Sequence, residues 1–175
     1  SCGWLSQHIL TQQLQHTGLG TGTHGLTHQL ALLEHQQGGD AHYPELRRQI
    51  ERQIAGGVHG IFCFGTNGEG YILSMKEKEE ILEATIDQVA GRVPVYAGTG
   101  CISTADTVYM SRRAEEMGAG VLSIITPSFA LASQEELYRH YVEVAKHVNI
   151  PIVLYNIPPR TGNKLLPETV ARLAR

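Results

Sequence analysis

Two short stretches carry residue types that could do chemistry. One is Tyr155-Asn156-Ile157-Pro158-Pro159-Arg160-Thr161-Gly162. A phenol both donates and accepts a hydrogen bond, so it can relay a proton. An arginine offers a planar fork that matches a carboxylate. The two prolines between them stiffen the loop. The other stretch is Gly65-Thr66-Asn67-Gly68-Glu69. Its glycines permit a tight turn in which backbone N–H groups and the Thr66 hydroxyl face an oxyanion. Each stretch also has a plain structural reading. Tyr155 and Arg160 could be a core tyrosine and a solvated arginine, and Asn67-Gly68 could merely supply positive φ to a turn.

The elements that must position these residues are well marked. Residues 44–56 have Leu46, Ile50 and Ile54 on one helical face and Gly56-Gly57 at the end, which predicts an amphipathic helix. Four short apolar runs follow, at residues 58–64, 93–97, 121–125 and 152–155. Runs that are apolar on both sides of the pleat fit strands of a parallel sheet with both faces covered. Helix starts separate them. Ser74 with Glu77 and Ser133 with Glu136 have the spacing of capping boxes, and Ser103 with Asp106 is a weaker version. Gly91, Gly118 and Asn149 mark helix ends. The runs recur about every 30 residues, the length of a βα unit. The fold class is α/β, with about four βα units behind a leading helix. This pattern alone fits a doubly wound sheet as well as part of a (β/α)8 barrel. Both architectures place their chemistry at the carboxyl ends of the strands, where Gly65-Thr66, Gly98-Thr99, Thr126 and Tyr155 fall.

Composition narrows the function classes. The chain has 175 residues and a formal net charge of −3, with 42% hydrophobic and 18% charged residues. That balance gives no electrostatic footprint for nucleic acid or anionic lipid. No apolar run approaches the length of a membrane span. Three cysteines are too few and too scattered for a disulfide framework or a zinc site, so a reducing, cytoplasmic setting is the default. Residues 1–38 differ from the rest. Glu34 is their one charged side chain, and they hold five of the nine histidines. They read as an irregular or non-homologous leader, with residues 39–175 forming the domain. Within the leader, residues 28–33 could be a short helix or a poor strand. Its scattered glycines argue against a helical face that would gather the histidines around a metal. Gly98-Thr99-Gly100 lacks the third glycine of a dinucleotide fingerprint, since position 103 is Ser. Cys63 and Cys101 read as buried thiols, and Glu69 as a residue that fixes its loop or caps a helix.

From about Asp40 to the end, GTNGEG follows the first strand, AGTG the second, TP the third and YNIPPRTG the fourth. In this order the motifs resemble the dihydrodipicolinate synthase/N-acetylneuraminate lyase family. The resemblance implies a (β/α)8 TIM barrel, of which this chain carries the first part, usually assembled as a homotetramer. It implies pyruvate and an aldehyde as small-molecule partners, joined or separated through a lysine Schiff base, with no metal or dissociable cofactor. Carried over by residue, Tyr155 matches the tyrosine that shuttles protons near the substrate carboxylate. Thr66 matches the hydroxyl that links tyrosines in the proton relay. Asn67 stands where a second hydroxyl residue usually helps hold the pyruvate carboxylate. Arg160 matches the arginine that synthases use for the aldehyde's carboxylate.

The chain departs from the family pattern in two places. Ser128-Phe129 follows TP where synthases usually carry a tyrosine pair, and the second of that pair is lent across the dimer interface to the relay. Phe129 has no hydroxyl. This points away from dihydrodipicolinate synthesis and toward an aldolase acting on a 2-keto-3-deoxy sugar acid. The imine lysine is expected on the strand after the helix that begins near Pro167, beyond Arg175. Lys76 and Lys78 open a helix, Lys146 closes one and Lys164 lies in a loop, so none is expected to have the apolar surroundings a nucleophilic lysine needs. The expectation is a Schiff-base aldolase or lyase whose imine lysine is missing from this chain. The alternative is an inactive fragment acting as an interaction module, because part of a barrel leaves strand edges unpaired.

Overall fold

A computed structural model describes residues 9–12, 28–29 and 43–175. Its strands and helices, in chain order, are β1 (Ile9–Gln12), β2 (His28–Gln29), α1 (Tyr43–Ala55), β3 (Ile61–Cys63), α2 (Met75–Val89), β4 (Val95–Gly98), α3 (Thr104–Met117), β5 (Val121–Ile125), α4 (Gln134–Ala145), β6 (Ile152–Tyr155), α5 (Pro158–Thr161) and α6 (Pro167–Leu173). A single 3-10 turn covers Thr66–Gly68. The helix starts follow from the serines. Ser74 and Ser133 form full capping boxes with Glu77 and Glu136. Ser103 accepts from the Asp106 N–H without the reciprocal bond. Each serine satisfies a donor that the first helical turn leaves unpaired.

All strand pairs are parallel, and the sheet order is β1-β6-β5-β4-β3-β2. From β3 to β6 each strand lies beside the next in sequence, and the order never reverses. A doubly wound sheet reverses at its switch point, whereas a barrel winds on in one direction. The order therefore resolves the choice that periodicity left open, and the fold is part of a TIM barrel. The register sets Ile61 beside Val95, Ala97 beside Leu122, and Leu122 beside Ile152. These side chains are buried with Ile50, Leu82, Met110, Ile124 and Leu137 between sheet and helices.

The segment expected to be an irregular leader contributes two short strands. Ile9–Gln12 pairs with Ile152–Tyr155, and His28–Gln29 pairs with Ile61–Phe62. Without them β6 and β3 would be edges with a row of unpaired N–H and C=O groups. An extended segment satisfies those groups whatever its side-chain pattern, which is why composition did not show it. The remaining residues of the leader, with most of its histidines, lie outside the described residues. Among the described residues no helix is long and apolar enough to cross a membrane.

Candidate active site

The rim at the carboxyl ends of the strands is built from four successive loops. After β3 the chain turns at Phe64, whose φ of +65° lies in the left-handed region that a bulky residue rarely occupies. The following loop folds back so closely that a Cβ on Gly70 would stand 2.5 Å from the Phe64 carbonyl oxygen. Gly70 is thus fixed as glycine by close backbone approach. This fold-back sets Thr66 at the mouth of the sheet. Glu69 caps the 3-10 turn with φ +50°, and its N–H donates to the Thr66 carbonyl at 3.2 Å. Its backbone fixes the loop, and its side chain is exposed.

The loop after β6 is pinned at two points. Asn156 Nδ2 donates to the Leu165 carbonyl at 3.1 Å, and the Leu165 N–H returns a bond to Asn156 Oδ1 at 3.0 Å. Asn163 is 3% exposed and reaches across to the loop after β5. Its Nδ2 donates to the carbonyls of Pro127 and Ala130, each at 2.8 Å, and its Oδ1 accepts from the Ala132 N–H at 2.8 Å. Thr126 donates to the Thr161 hydroxyl at 2.8 Å, and Thr161 can pass a bond to the Asn163 carbonyl at 3.0 Å. Thr99 is likewise held structurally, with its hydroxyl 2.8 Å from that of Ser111 in the core.

Inside this rim is a cavity of about 80 Å³. Thr66, Tyr71, Lys78, Ser123 and Tyr155 line it, with Gly65, Gly70, Gly98 and Gly100 supplying backbone. Thr66 and Tyr155 therefore come together from loops that are far apart in sequence. Among the described residues no hydrogen bond joins their hydroxyls. Asn67 lies in the 3-10 turn beside Thr66. Arg160 does not line the cavity. It sits exposed on α5, a single turn started by Pro158 and Pro159 and ended by Gly162 at φ +76°. Phe129 is 95% exposed on the loop after β5, at a strained φ of +78°.

Lys78 corrects an expectation. It opens α2 as the spacing predicts, but the residue is only 7% exposed and lines the cavity. Lys76, Lys146 and Lys164 are exposed. The charge run around Lys78 suggests a solvated face. The helical stripe shows otherwise: the buried positions of α2 include Ile81, Leu82, Thr85 and Val89, and one turn back from them falls on Lys78. Of the two described thiols, Cys63 is buried as expected, whereas Cys101 is only half-buried. Burial pushes Cys63 up to about 12, which keeps it protonated. Burial also raises Cys101, with the Lys78 charge opposing the shift and the Asp106 charge adding to it.

A family model described as the dihydrodipicolinate synthetase family matches residues 30–175, so it takes in residues 30–38, which composition alone assigns to the leader. The chain is 45% identical over 146 residues to the 4-hydroxy-tetrahydrodipicolinate synthase of Syntrophus aciditrophicus (strain SB), covering 83% of this chain and 50% of that protein. Its fold superposes on the crystal structure of dihydrodipicolinate synthase from Aquifex aeolicus with a TM-score of 0.79 and 35% identity, covering 83% of this chain and 50% of that one. It is also similar to YagE, a prophage protein of the dihydrodipicolinic acid synthase family from E. coli K12 solved in complex with pyruvate, with a TM-score of 0.77, 35% identity and coverage of 79% and 47%. The chain spans about half the length of the curated relatives it matches. The order of motifs along four strands, the unreversed parallel sheet and a match over most of the sequence agree, and the chain belongs to the dihydrodipicolinate synthetase family.

Proposed function

We propose that this chain is the first part of a barrel that makes or breaks a carbon–carbon bond between pyruvate and an aldehyde. The observation that carries the reading is the meeting of Thr66 and Tyr155 in one cavity at the carboxyl ends of parallel strands. In this reading a lysine amine condenses with the pyruvate carbonyl and releases water. The resulting imine takes up the electron pair left when the pyruvate methyl group loses a proton, the enamine carbon so formed attacks an aldehyde, and water then hydrolyses the imine to free the lysine. Tyr155 carries the proton to the aldehyde oxygen as it becomes a hydroxyl, and returns it in cleavage. Thr66 orients that phenol through the substrate or a water, since the two hydroxyls are not bonded directly. Arg160, exposed on its turn, meets a carboxylate or hydroxyl at the far end of the aldehyde. Asn67, with an amide in place of a hydroxyl, alters the contact to the pyruvate carboxylate.

The imine lysine lies outside these 175 residues in this reading. Lys78 is the competitor, because it is the one described lysine at the cavity. Borohydride reduction in the presence of pyruvate, followed by peptide mapping, separates the two. The expected result is no adduct on this chain and one adduct per subunit in a polypeptide that completes the barrel. An adduct on Lys78 overturns the assignment, and no adduct on either polypeptide overturns the Schiff-base chemistry.

Phe129 bears on the aldehyde. It has no hydroxyl where the synthases of the family usually carry a tyrosine, and this absence is what supports an aldolase of 2-keto-3-deoxy sugar acids over a dihydrodipicolinate synthase. The completed barrel should turn over such sugar acids faster than it condenses aspartate semialdehyde. Comparable rates on both would remove the argument.

A further inference from the structure

Strand β6 has a neighbour on each side, β5 on one and β1 on the other. The register runs Ile9 beside Ile152, Leu10 beside Val153, Thr11 beside Leu154 and Gln12 beside Tyr155. β1 therefore covers the whole of β6, up to the residue that lines the cavity. A strand forms its ladders on two sides only, and both sides of β6 are taken. The four residues of β1 include no proline, so every N–H among them can serve the ladder.

β1 is not one of the βα units. It precedes residue 30, where the family match begins. The units themselves add strands in one direction, with β4 beside β3, β5 beside β4 and β6 beside β5. The helix of a further unit is already docked. α6 follows β6 and packs beside α4, the helix that leads into β6. Thr169 donates to Gln134 Oε1 at 2.5 Å, and the Arg172 guanidinium pairs with Glu135 at 3.0 Å and lies 3.9 Å over the Tyr138 ring. Leu173 is buried at the end of α6. A crossover of this kind returns the chain to the sheet with the same hand as the units before it. In a polypeptide that continues past α6, the next strand thus falls on the side of β6 away from β5. That is the side β1 holds.

We propose that Ile9–Gln12 is a strap in the place of the strand that follows α6, and that the strapped sheet and the closed barrel are mutually exclusive. Exchange between the two states opens no gap, because one parallel strand replaces another and the same β6 backbone groups stay paired. The next strand has the advantage. It is tethered to a helix already in position, whereas β1 reaches the sheet across a longer span of chain whose closure costs entropy. In the function proposed above, the next strand brings the imine lysine, so the strap holds the site in its lysine-free state. That consequence rests on the proposed function, and the strap itself rests on the sheet order.

The test is hydrogen exchange read by mass spectrometry. In this chain the amides of residues 9–12 and 152–155 should both be protected. The double variant Leu10→Pro/Thr11→Pro should lose part of the protection at residues 152–155. Successive N–H groups of a strand point to opposite sides, so one of the two prolines must fall on the β6 ladder. Residues 95–98 of β4 should keep their protection. In a polypeptide that completes the barrel, residues 9–12 should exchange as an unpaired segment while residues 152–155 stay protected. Free exchange of residues 9–12 in this chain overturns the proposal, and so does their continued protection in the completed barrel. Protection at residues 152–155 that survives both prolines overturns it as well. Loss of protection at residues 95–98 in the double variant would make β1 a constituent of the core, which also overturns it. Release of residues 9–12 in a completed barrel that traps no imine with pyruvate would leave the strap standing and remove the aldolase reading. Imine trapping with residues 9–12 still protected would do the reverse.

Discussion

Tyr155→Phe, placed in a polypeptide that completes the barrel, should lower kcat by about 10²–10⁴-fold, the range in which a positioned proton donor contributes. The phenol sits at the end of β6 and lines the cavity, and no hydrogen bond ties its hydroxyl to any described residue. Removing the oxygen therefore orphans no partner inside the protein. Stability should change by no more than about 0.5 kcal/mol, as for substitutions that break no named interaction. The separation is informative. If Tyr155 moves a proton in the transition state, kcat falls while KM for pyruvate changes little. A variant that keeps kcat would return Tyr155 to the role of a core tyrosine. A variant that loses kcat and fold together would show that its hydroxyl is part of the structure.

Asn163→Ala should cost about 3 kcal/mol of unfolding free energy, measured by urea denaturation of this chain. One buried side chain satisfies three backbone groups of the loop after β5, those of Pro127, Ala130 and Ala132. Each orphaned buried group costs about 1–3 kcal/mol, and the loop recovers part of the total by turning toward water. That loop carries Phe129 at φ +78°, a backbone conformation that persists only where surrounding bonds over-determine it. Releasing it should also relax the strained residue. A loss under about 1 kcal/mol would mean that water replaces the amide at all three positions. Asn163→Asp provides the contrast: it keeps the acceptor for Ala132 but loses both donors, so its loss should be large as well.

The sequence placed the elements that lie within a βα unit. Helix α1 was expected over residues 44–56 and runs over Tyr43–Ala55, and the four apolar runs became β3 to β6. The reason is local. Capping serines, terminal glycines and apolar periodicity act over a few residues, so each can be read without knowing what packs against it. The sheet order could not be read this way. A strand buried on both faces shows the same run of apolar residues in a doubly wound sheet as in a barrel, and only the neighbour on each side tells them apart. The strands β1 and β2 were hidden for a related reason: they add to edges through backbone bonds, which leave no mark on side-chain pattern.

The candidate site divides along the same line. The types and spacing of Thr66 and Tyr155 were enough to single them out, and four motifs in order were enough to indicate the family. The tertiary structure decided which residues share a cavity. It joined Thr66 and Tyr155, left Arg160 exposed on a short turn, and set Lys78, at the polar start of a helix, on the wall of the cavity beside them. It also gave Asn163 a role that no spacing suggests, because its three partners lie about 30 residues back along the chain. Residue chemistry and local conformation are written in the sequence itself. Burial and the company a side chain keeps depend on how the βα units wind against each other, and that is settled only when the sheet closes over its core.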